Sequence, residues 1–342
     1  MRKYNVAIVG ATGAVGEELC RVLEDLDFPV GNLFPLASAK SVGLEVECKK
    51  KYYKVLELTE TVFEENEIDI AFFSAGGSVS AKFAPFAAEA GAVVIDNTSH
   101  FRMDSDVPLV VPECNSDDIA TWRNRGIIAN PNCSTIQMVQ ILKPLDDAFD
   151  IKRVDVSTYQ AVSGAGKEGM KELVTQMQDF FAFKLDDSKV EKFQHQIALN
   201  VIPHIDVFGD NDYTKEEMKM INETQKILHK DIEVSATCVR VPILRSHSED
   251  ITIHFNQSVD ANKAREILRS SPSLVVVDDP SKNEYPMPII STDTDETYVG
   301  RIRKDLYRDN VLHLWCCADQ IRVGAATNAV RIAKKWIELE EN

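Results

Sequence analysis

Val6-Ala7-Ile8-Val9, followed by Gly10-Ala11-Thr12-Gly13-Ala14-Val15-Gly16, is the stretch whose reading decides the fold. The four apolar residues run without alternation, the pattern of a strand buried on both faces, as in a parallel sheet. Helical spacing from Glu17 to Leu26 follows directly. The glycines between fall as Gly-x-x-Gly-x-x-Gly, a variant of the dinucleotide fingerprint, in which glycine lets the backbone close on a pyrophosphate at a helix start. Strand, turn and helix therefore predict a nucleotide-binding unit, with Gly10, Thr12, Gly13, Ala14 and Val15 at the phosphates.

The next strand, Leu33 to Leu36, sharpens that reading. A carboxylate about 20 residues after the glycines marks NAD preference, and none stands there. The chain instead runs Ala37-Ser38-Ala39-Lys40-Ser41. The hydroxyls of Ser38 and Ser41 and the Lys40 cation suit a 2′-phosphate, which favours NADP; a solvated loop lysine is the plainer alternative.

Apolar runs at Ile68 to Phe73, Ala92 to Ile95, Leu109 to Glu113 and Gly126 to Ala129 continue the strands, with a helix from Val79 to Ala90. Such alternation is the signature of a doubly wound parallel sheet, whose ligands lie at the carboxyl ends of the strands. Ser74 to Ser78 and Asp96 to Arg102 follow strand ends and are expected in that crevice. Arg102 is a candidate anion clamp there, or an ordinary loop arginine.

The last of these strands leads into Asn130-Pro131-Asn132-Cys133-Ser134-Thr135 and then the amphipathic run Ile136 to Phe149. Asn, Ser and Thr are capping residues, so a helix should begin near Cys133, where free N–H groups and the positive dipole end favour a thiolate. A thiol ordinarily titrates near ~8.5, and a helix start lowers that value. Cys133 is then either a covalent nucleophile or a small packing residue, and the stretch by itself supports both.

Beyond it, Lys152 to Val162 alternates apolar and polar, the pattern of a mixed or antiparallel sheet and the start of a second domain. Its end, Tyr159-Gln160-Ala161-Val162-Ser163-Gly164-Ala165-Gly166, is suited to close approach of backbone to a ligand. A helix is expected from Lys167 to Phe183 and another from Thr214, as cap, to His229. Glu216 and Lys219 lie three apart on the latter, which reads equally well as a surface ion pair. Strands Glu233 to Val241 and Asp250 to Gln257 leave between them a polar break that holds Arg245, Ser246 and His247. After a helix from Asp260 to Ser270, strands are expected at Leu274 to Val277, Pro288 to Ser291, Tyr298 to Arg303 and Val311 to Ala318. A final helix opens after Asp319-Gln320 and runs to about Leu339.

Composition bounds what this architecture does. The 342 residues exceed what one core usually holds, so two domains are expected, residues 1–132 with 321–342 binding the nucleotide and residues 133–320 forming the other. With 38 basic against 54 acidic side chains the net charge is −16, which repels nucleic acid and anionic lipid. No signal-peptide core or membrane-length apolar run is evident, so a cytoplasmic location is expected. The seven cysteines are odd in number and include no Cys-x-x-Cys, so reduced thiols and no structural metal are expected.

Taken together, Gly10 to Gly16, Asn97 to Arg102, Asn130 to Thr135, Gln160 to Gly166, Glu216 with Lys219, Arg240 with His247 and Gln320 to Ala326 resemble the aspartate-β-semialdehyde dehydrogenases over nearly the whole chain. The resemblance implies a Rossmann-like domain completed by the C-terminal helix, plus an α+β catalytic domain that supplies a dimer interface. The assembly would be a homodimer or a dimer of dimers. It implies NADP as cofactor, with Ser163, Gly164 and Gln320 beside it. Cys133 would attack L-aspartyl phosphate and form a thioester that NADPH reduces, on the route to lysine, threonine and methionine. His247 would be the general acid/base and Gln160 would orient the intermediate. Among substrate contacts, Arg240 would hold the α-carboxylate, Glu216 the ammonium, and Arg102 and Lys219 the phosphate, with Asn132 beside them. A neighbouring acyl-phosphate reductase that acts on an acylated amine has no use for Glu216. A cofactor-binding sensor has no use for a thiol with a base.

Overall fold

The computed structural model describes residues 2–341. The chain divides into two compact units, one running to Asn132 and resuming at Gly324, the other spanning Cys133–Val323.

In the first unit, strands β1 (Tyr4–Val9), β2 (Val30–Ala37), β5 (Leu56–Glu57), β6 (Ile70–Phe73), β7 (Val93–Asp96) and β8 (Ile127–Ala129) form one sheet in the order β5-β2-β1-β6-β7-β8, all pairs parallel. A hairpin of β3 (Glu45–Cys48) and β4 (Lys51–Lys54), absent from the sequence reading, sits apart from it. Helices α1 (Ala14–Asp25), α2 (Val62–Glu65), α3 (Gly77–Glu89) and α4 (Pro112–Asn115) belong to this unit, as does the C-terminal helix Asn328–Glu340. Val6, Ile8 and Phe72 from the sheet pack with Leu19 and Leu23 of α1 and with Val330 and Trp336 of the C-terminal helix. Strands wrapped on both faces in this way need apolar residues at every position, which is why β1 reads as an unbroken run.

Chain order reverses beside β1, with β2 on one side and β6 on the other. The glycine loop lies at this switch point, where such sheets hold ligands. Two glycines are required there. Gly10 has φ +89°, and a β-carbon on Gly16 would sit 2.3 Å from the Gly10 carbonyl oxygen.

In the second unit, β9 (Ile151–Gln160), β10 (Glu233–Arg240), β11 (His247–Phe255), β12 (Leu274–Val276), β13 (Thr297–Lys304) and β14 (Val311–Ala318) form a mixed sheet in the order β10-β9-β11-β14-β13-β12. The outer pairs β10–β9 and β12–β13 are parallel and the inner ones antiparallel. Helices α5 (Cys133–Phe149), α7 (Lys215–Leu228) and α8 (Ala261–Ser270) pack in this unit, Met138, Ile141 and Leu142 of α5 meeting Ile251, Ile253 and Leu314 of the sheet. Helix α6 (Gly166–Phe181) builds a smaller core with Val162 and Ile202.

Several expected elements differ. Leu109 to Glu113 is not a strand: Leu109 makes one bridge to Ala129, and Pro112 then starts α4, a position where its missing N–H costs nothing. Pro288 to Ser291 is likewise a helical turn, α9, again with proline first. Strand β11 begins three residues earlier than expected, so His247 is its first residue and not part of a loop. The C-terminal helix is preceded by a π-helical segment, Arg322–Thr327. Among the described residues, no helix is long and apolar enough to cross a membrane.

Candidate active site

Helix α5 begins at Cys133 itself. Five of the other six cysteines are buried, while Cys133 is half-buried and so open to a reactant. The first turn of a helix leaves backbone N–H groups without intrahelical partners, and their dipoles favour negative charge on a thiol placed there. Asn132, just before it, is buried and closes the first unit.

Around this helix start the mixed sheet delivers its strand ends. Gln160 ends β9 and Arg240 ends β10, and the two are partners in register. Both are buried, as is His247 at the start of β11. Gln160 donates from its amide nitrogen to Ser134 Oγ and, at 3.2 Å, to Glu216 Oε1. Glu216 lies in the first turn of α7, whose start is fixed by a capping box between Thr214 and Glu217. Its other oxygen accepts from Lys219 Nζ at 3.1 Å, and Lys219 also reaches Asp206 at 2.8 Å. Burial alone would push the Lys219 ammonium down, but Glu216 and Asp206 outweigh it and hold the group above its ordinary value. Glu216 is buried and shared with Gln160, so the pair reaches from the exposed Asp206 through the half-buried Lys219 to the interior and is not an isolated surface ion pair.

One residue orients both the guanidinium and the imidazole. The Ala161 carbonyl accepts from Arg240 Nη1 at 2.6 Å, and the Ala161 N–H donates to His247 Nδ1 at 3.0 Å. Burial, together with the Arg240 charge, keeps His247 well below its usual titration range, so the ring is neutral. With Nδ1 accepting, the ring proton sits on Nε2. Nε2 and Arg240 Nη1 face the same small space: a β-carbon on Gly164 would lie 3.4 Å from the first and 2.9 Å from the second. Arg240, whose own charge is opposed by burial and supported by Glu216, is within electrostatic reach of Cys133. The second unit thus gathers Cys133, Gln160, Glu216, Lys219, Arg240 and His247.

The other expected contacts have definite partners. Ser163 Oγ accepts from the Gln320 amide, and Gln320 Oε1 accepts from the Ser246 N–H at 2.8 Å, so Gln320 ties two turns of the second unit together. Arg102 belongs to the first unit, where Nε donates to the Asn130 carbonyl at 2.9 Å and Nη2 to the Asn97 carbonyl at 2.8 Å.

In the same unit α1 starts on Gly13 with no side-chain cap, leaving its first N–H groups for an anion. Gly10 N donates to Leu36 O at 2.9 Å, which brings the loop against the end of β2. There Ser38 and Lys40 are exposed on a short 3-10 turn that ends at Ser41. Glycine at 10, 13 and 16 keeps β-carbons away at the three points where backbone approaches the loop closely, which leaves the backbone open to a pyrophosphate.

Two family models cover the chain: the semialdehyde dehydrogenase NAD binding domain matches residues 5–122, and the semialdehyde dehydrogenase dimerisation domain matches residues 142–323. Aspartate-semialdehyde dehydrogenase of Campylobacter jejuni is 72% identical, covering 99% of each chain. The chain belongs to the aspartate-semialdehyde dehydrogenase family. It shares that family's two-domain architecture: aspartate semialdehyde dehydrogenase II from Vibrio cholerae, in a crystal structure complexed with ASA, superposes with a TM-score of 0.95 at 47% identity over 99% of each chain. The aspartate semialdehyde dehydrogenase from Candida albicans, solved with NADP, gives a TM-score of 0.75 at 25% identity, covering 98% of this chain and 99% of that one. As an aspartate-semialdehyde dehydrogenase family member the chain is an oxidoreductase of amino-acid biosynthesis with a nucleotide-binding domain.

The sequence reading did not single out Asp206, the Ala161 main chain or Ser134 as parts of this network. Nothing in the local pattern marks Asp206. Ser134 was visible only as a capping residue, and a backbone pivot leaves no side-chain signature.

Proposed function

We propose that the protein is a cytoplasmic enzyme that carries out the NADPH-dependent reductive dephosphorylation of L-aspartyl 4-phosphate to L-aspartate 4-semialdehyde, reversibly, in lysine, threonine and methionine biosynthesis. What supports this reading is the meeting of a buried guanidinium, carboxylate and imidazole at the start of the helix that bears Cys133. An α-amino acid substrate needs both the guanidinium, for its carboxylate, and the carboxylate, for its ammonium.

The Cys133 thiolate attacks the acyl carbon; the C–S bond forms as the C–O bond to phosphate breaks, and phosphate leaves. Residues 10–16 would hold NADPH by its phosphates, and the cofactor would supply the hydride that reduces the thioester. Gln160 would orient the thioester, and His247 would hold its Nε2–H on the reacting oxygen, stabilising the negative charge that develops there until the tetrahedral thiohemiacetal anion opens and the Cys133 thiolate departs. Arg240 holds the α-carboxylate and Glu216 the ammonium. Lys219 and Arg102 serve the phosphate, Lys219 by exchanging its carboxylate partners for it. Asn132, Ser163, Gly164 and Gln320 border the substrate and cofactor.

The test is to supply NADP, phosphate and L-aspartate semialdehyde and follow the reduced cofactor by absorbance. A phosphate-dependent rise that needs the free amino group is expected; a rise with an N-acylated semialdehyde alone would sink the assignment. Lys40→Ala should weaken NADP binding by roughly tenfold or more while leaving NAD nearly unchanged, as removal of one charged phosphate contact does. Equal losses for the two cofactors would mean that Lys40 does not read the 2′-phosphate.

The outer face of the mixed sheet carries Tyr159, 37% exposed, with Asp250, Arg301 and Trp315 around a shallow apolar hollow. A second copy of the chain seated there would bury that face, consistent with the dimerisation domain matched over residues 142–323. Sedimentation should return a homodimer or a dimer of dimers, and a monomer at micromolar concentration would overturn this.

A further inference from the structure

The second unit contains a carboxyl group that the chemistry above does not use. Glu249 lies two residues after His247 on β11, hence on the same face of the strand, and is 0% exposed. Its partners in register are Thr158 on β9 and Cys316 on β14. Glu249 Oε2 is 3.6 Å from Cys316 Sγ, and the same sulfur is 3.7 Å from Gln137 Nε2. Gln137 also hydrogen-bonds the carboxyl. It stands four residues after Cys133 on α5, so the two side chains are stacked one turn apart on one face of the helix.

The groups around this carboxyl offer it no positive charge. Gln137 reaches it from α5, and the thiols of Cys316 and Cys238 lie on its face of the sheet from β14 and β10. Among the described residues no lysine, arginine or histidine pairs with it. An ionised carboxylate in such a place carries its full desolvation cost, and burial pushes Glu249 well above the usual carboxylate range. The acceptor oxygens Glu249 Oε1 and Gln137 Oε1 are buried without a partner, as is the neighbouring Thr158 hydroxyl. Both are acceptors as long as Glu249 is charged, so neither can satisfy the other. One proton between them removes both deficits.

We propose that Glu249 is a neutral carboxylic acid donating its proton to the Gln137 carbonyl oxygen, a clasp that fastens α5, one turn after Cys133, to the start of β11 and so fixes Cys133 relative to His247. The clasp stands on the geometry alone; its bearing on catalysis rests on the functional reading above. Glu249 is a positioning residue in this scheme, acting through Gln137 and through its own strand.

Two measurements on the full chain need no turnover. Difference infrared spectra of wild type against Glu249→Gln at neutral pH should show the carbonyl band of one protonated carboxylic acid lost. The pH dependence of stability gives an independent reading. An acid whose folded value is raised stabilises the fold below its unfolded value, about 4.5, and loses that contribution as pH rises. The melting temperature of Glu249→Gln should therefore gain on wild type between about pH 5 and about pH 8. A constant difference together with no lost carboxylic band would overturn the neutral acid.

Positioning is read separately. Glu249→Ala should slow alkylation of Cys133 and lower kcat by about tenfold to a hundredfold with KM unchanged, as a small misplacement of reacting groups does. Glu249→Gln, whose amide can still donate to Gln137, should restore both. Unchanged alkylation and kcat in Glu249→Ala would refute positioning, and failure of Glu249→Gln to restore them would do the same should Glu249→Ala not fold. Because spectra, melting and alkylation do not depend on the substrate, a failure of the proposed reaction leaves the clasp independently tested.

Discussion

Cys133→Ala is expected to abolish turnover, a loss of roughly 10⁴-fold or more, while NADPH still binds with its wild-type affinity in a fluorescence titration. The nucleotide cradle on Gly10 to Gly16 and the Lys40 turn belong to the first unit, whereas Cys133 opens the second. Removing the thiol therefore deletes the chemistry and spares the cofactor site. No other cysteine of the second unit is placed to substitute. Burial raises the thiols of Cys238 and Cys316, and it pushes Cys317 up to about 11. Residual activity within about tenfold of wild type would remove the covalent mechanism.

His247→Asn should lower kcat by about 10² to 10⁴, the usual worth of a positioned acid, with little change in KM because Arg240 and Glu216 remain to bind the substrate. The position of the imidazole also has a consequence for stability. Burial first, and then the Arg240 charge, hold its folded titration well below the ordinary value. A base depressed in this way stabilises the fold above its unfolded value, near ~6.5, and that contribution is lost as pH falls through the interval down to the folded value. Wild type should accordingly lose more stability than the asparagine variant between about pH 7 and about pH 5. Equal losses, read as melting temperatures, would mean that His247 is not held neutral, and an unchanged kcat would exclude it from the acid/base role.

Much of this was legible from local pattern. The run Val6 to Val9 had to be a buried strand, and the glycine spacing after it had to let backbone approach backbone, which is what the 2.3 Å clearance at Gly16 expresses. Alternation marked β9, and the capping residues marked the start of α5. What escaped was decided by tertiary contact. Pro112 and Pro288 sit in apolar runs that read as strands, yet each starts a helical turn, because proline is at no disadvantage at a first helical position. The polar run at Arg245 to Ser248 suggested a loop, but Ser248 and Glu249 find partners across β9 and β14 and draw His247 into the sheet. For the same reason Glu249 does not stand out in the sequence: two-residue periodicity puts it on the buried face with His247, but only once the strand's true start is known. The network of Gln160, Glu216, Lys219 and Asp206 joins segments up to 59 residues apart in the chain, from position 160 to position 219, and no window of sequence spans that.

The pivot at Ala161 separates what this protein can vary from what it must keep. The bonds that aim Arg240 and His247 come from the main chain, so the identity of the side chain at 161 is irrelevant to them and proline alone would delete the N–H. A neighbour's substitution can alter what the two groups touch without altering where they point. Orientation is thereby insulated from drift in side chains, and the pocket lining is left open to adapt to a different acyl group while the reacting geometry is inherited intact.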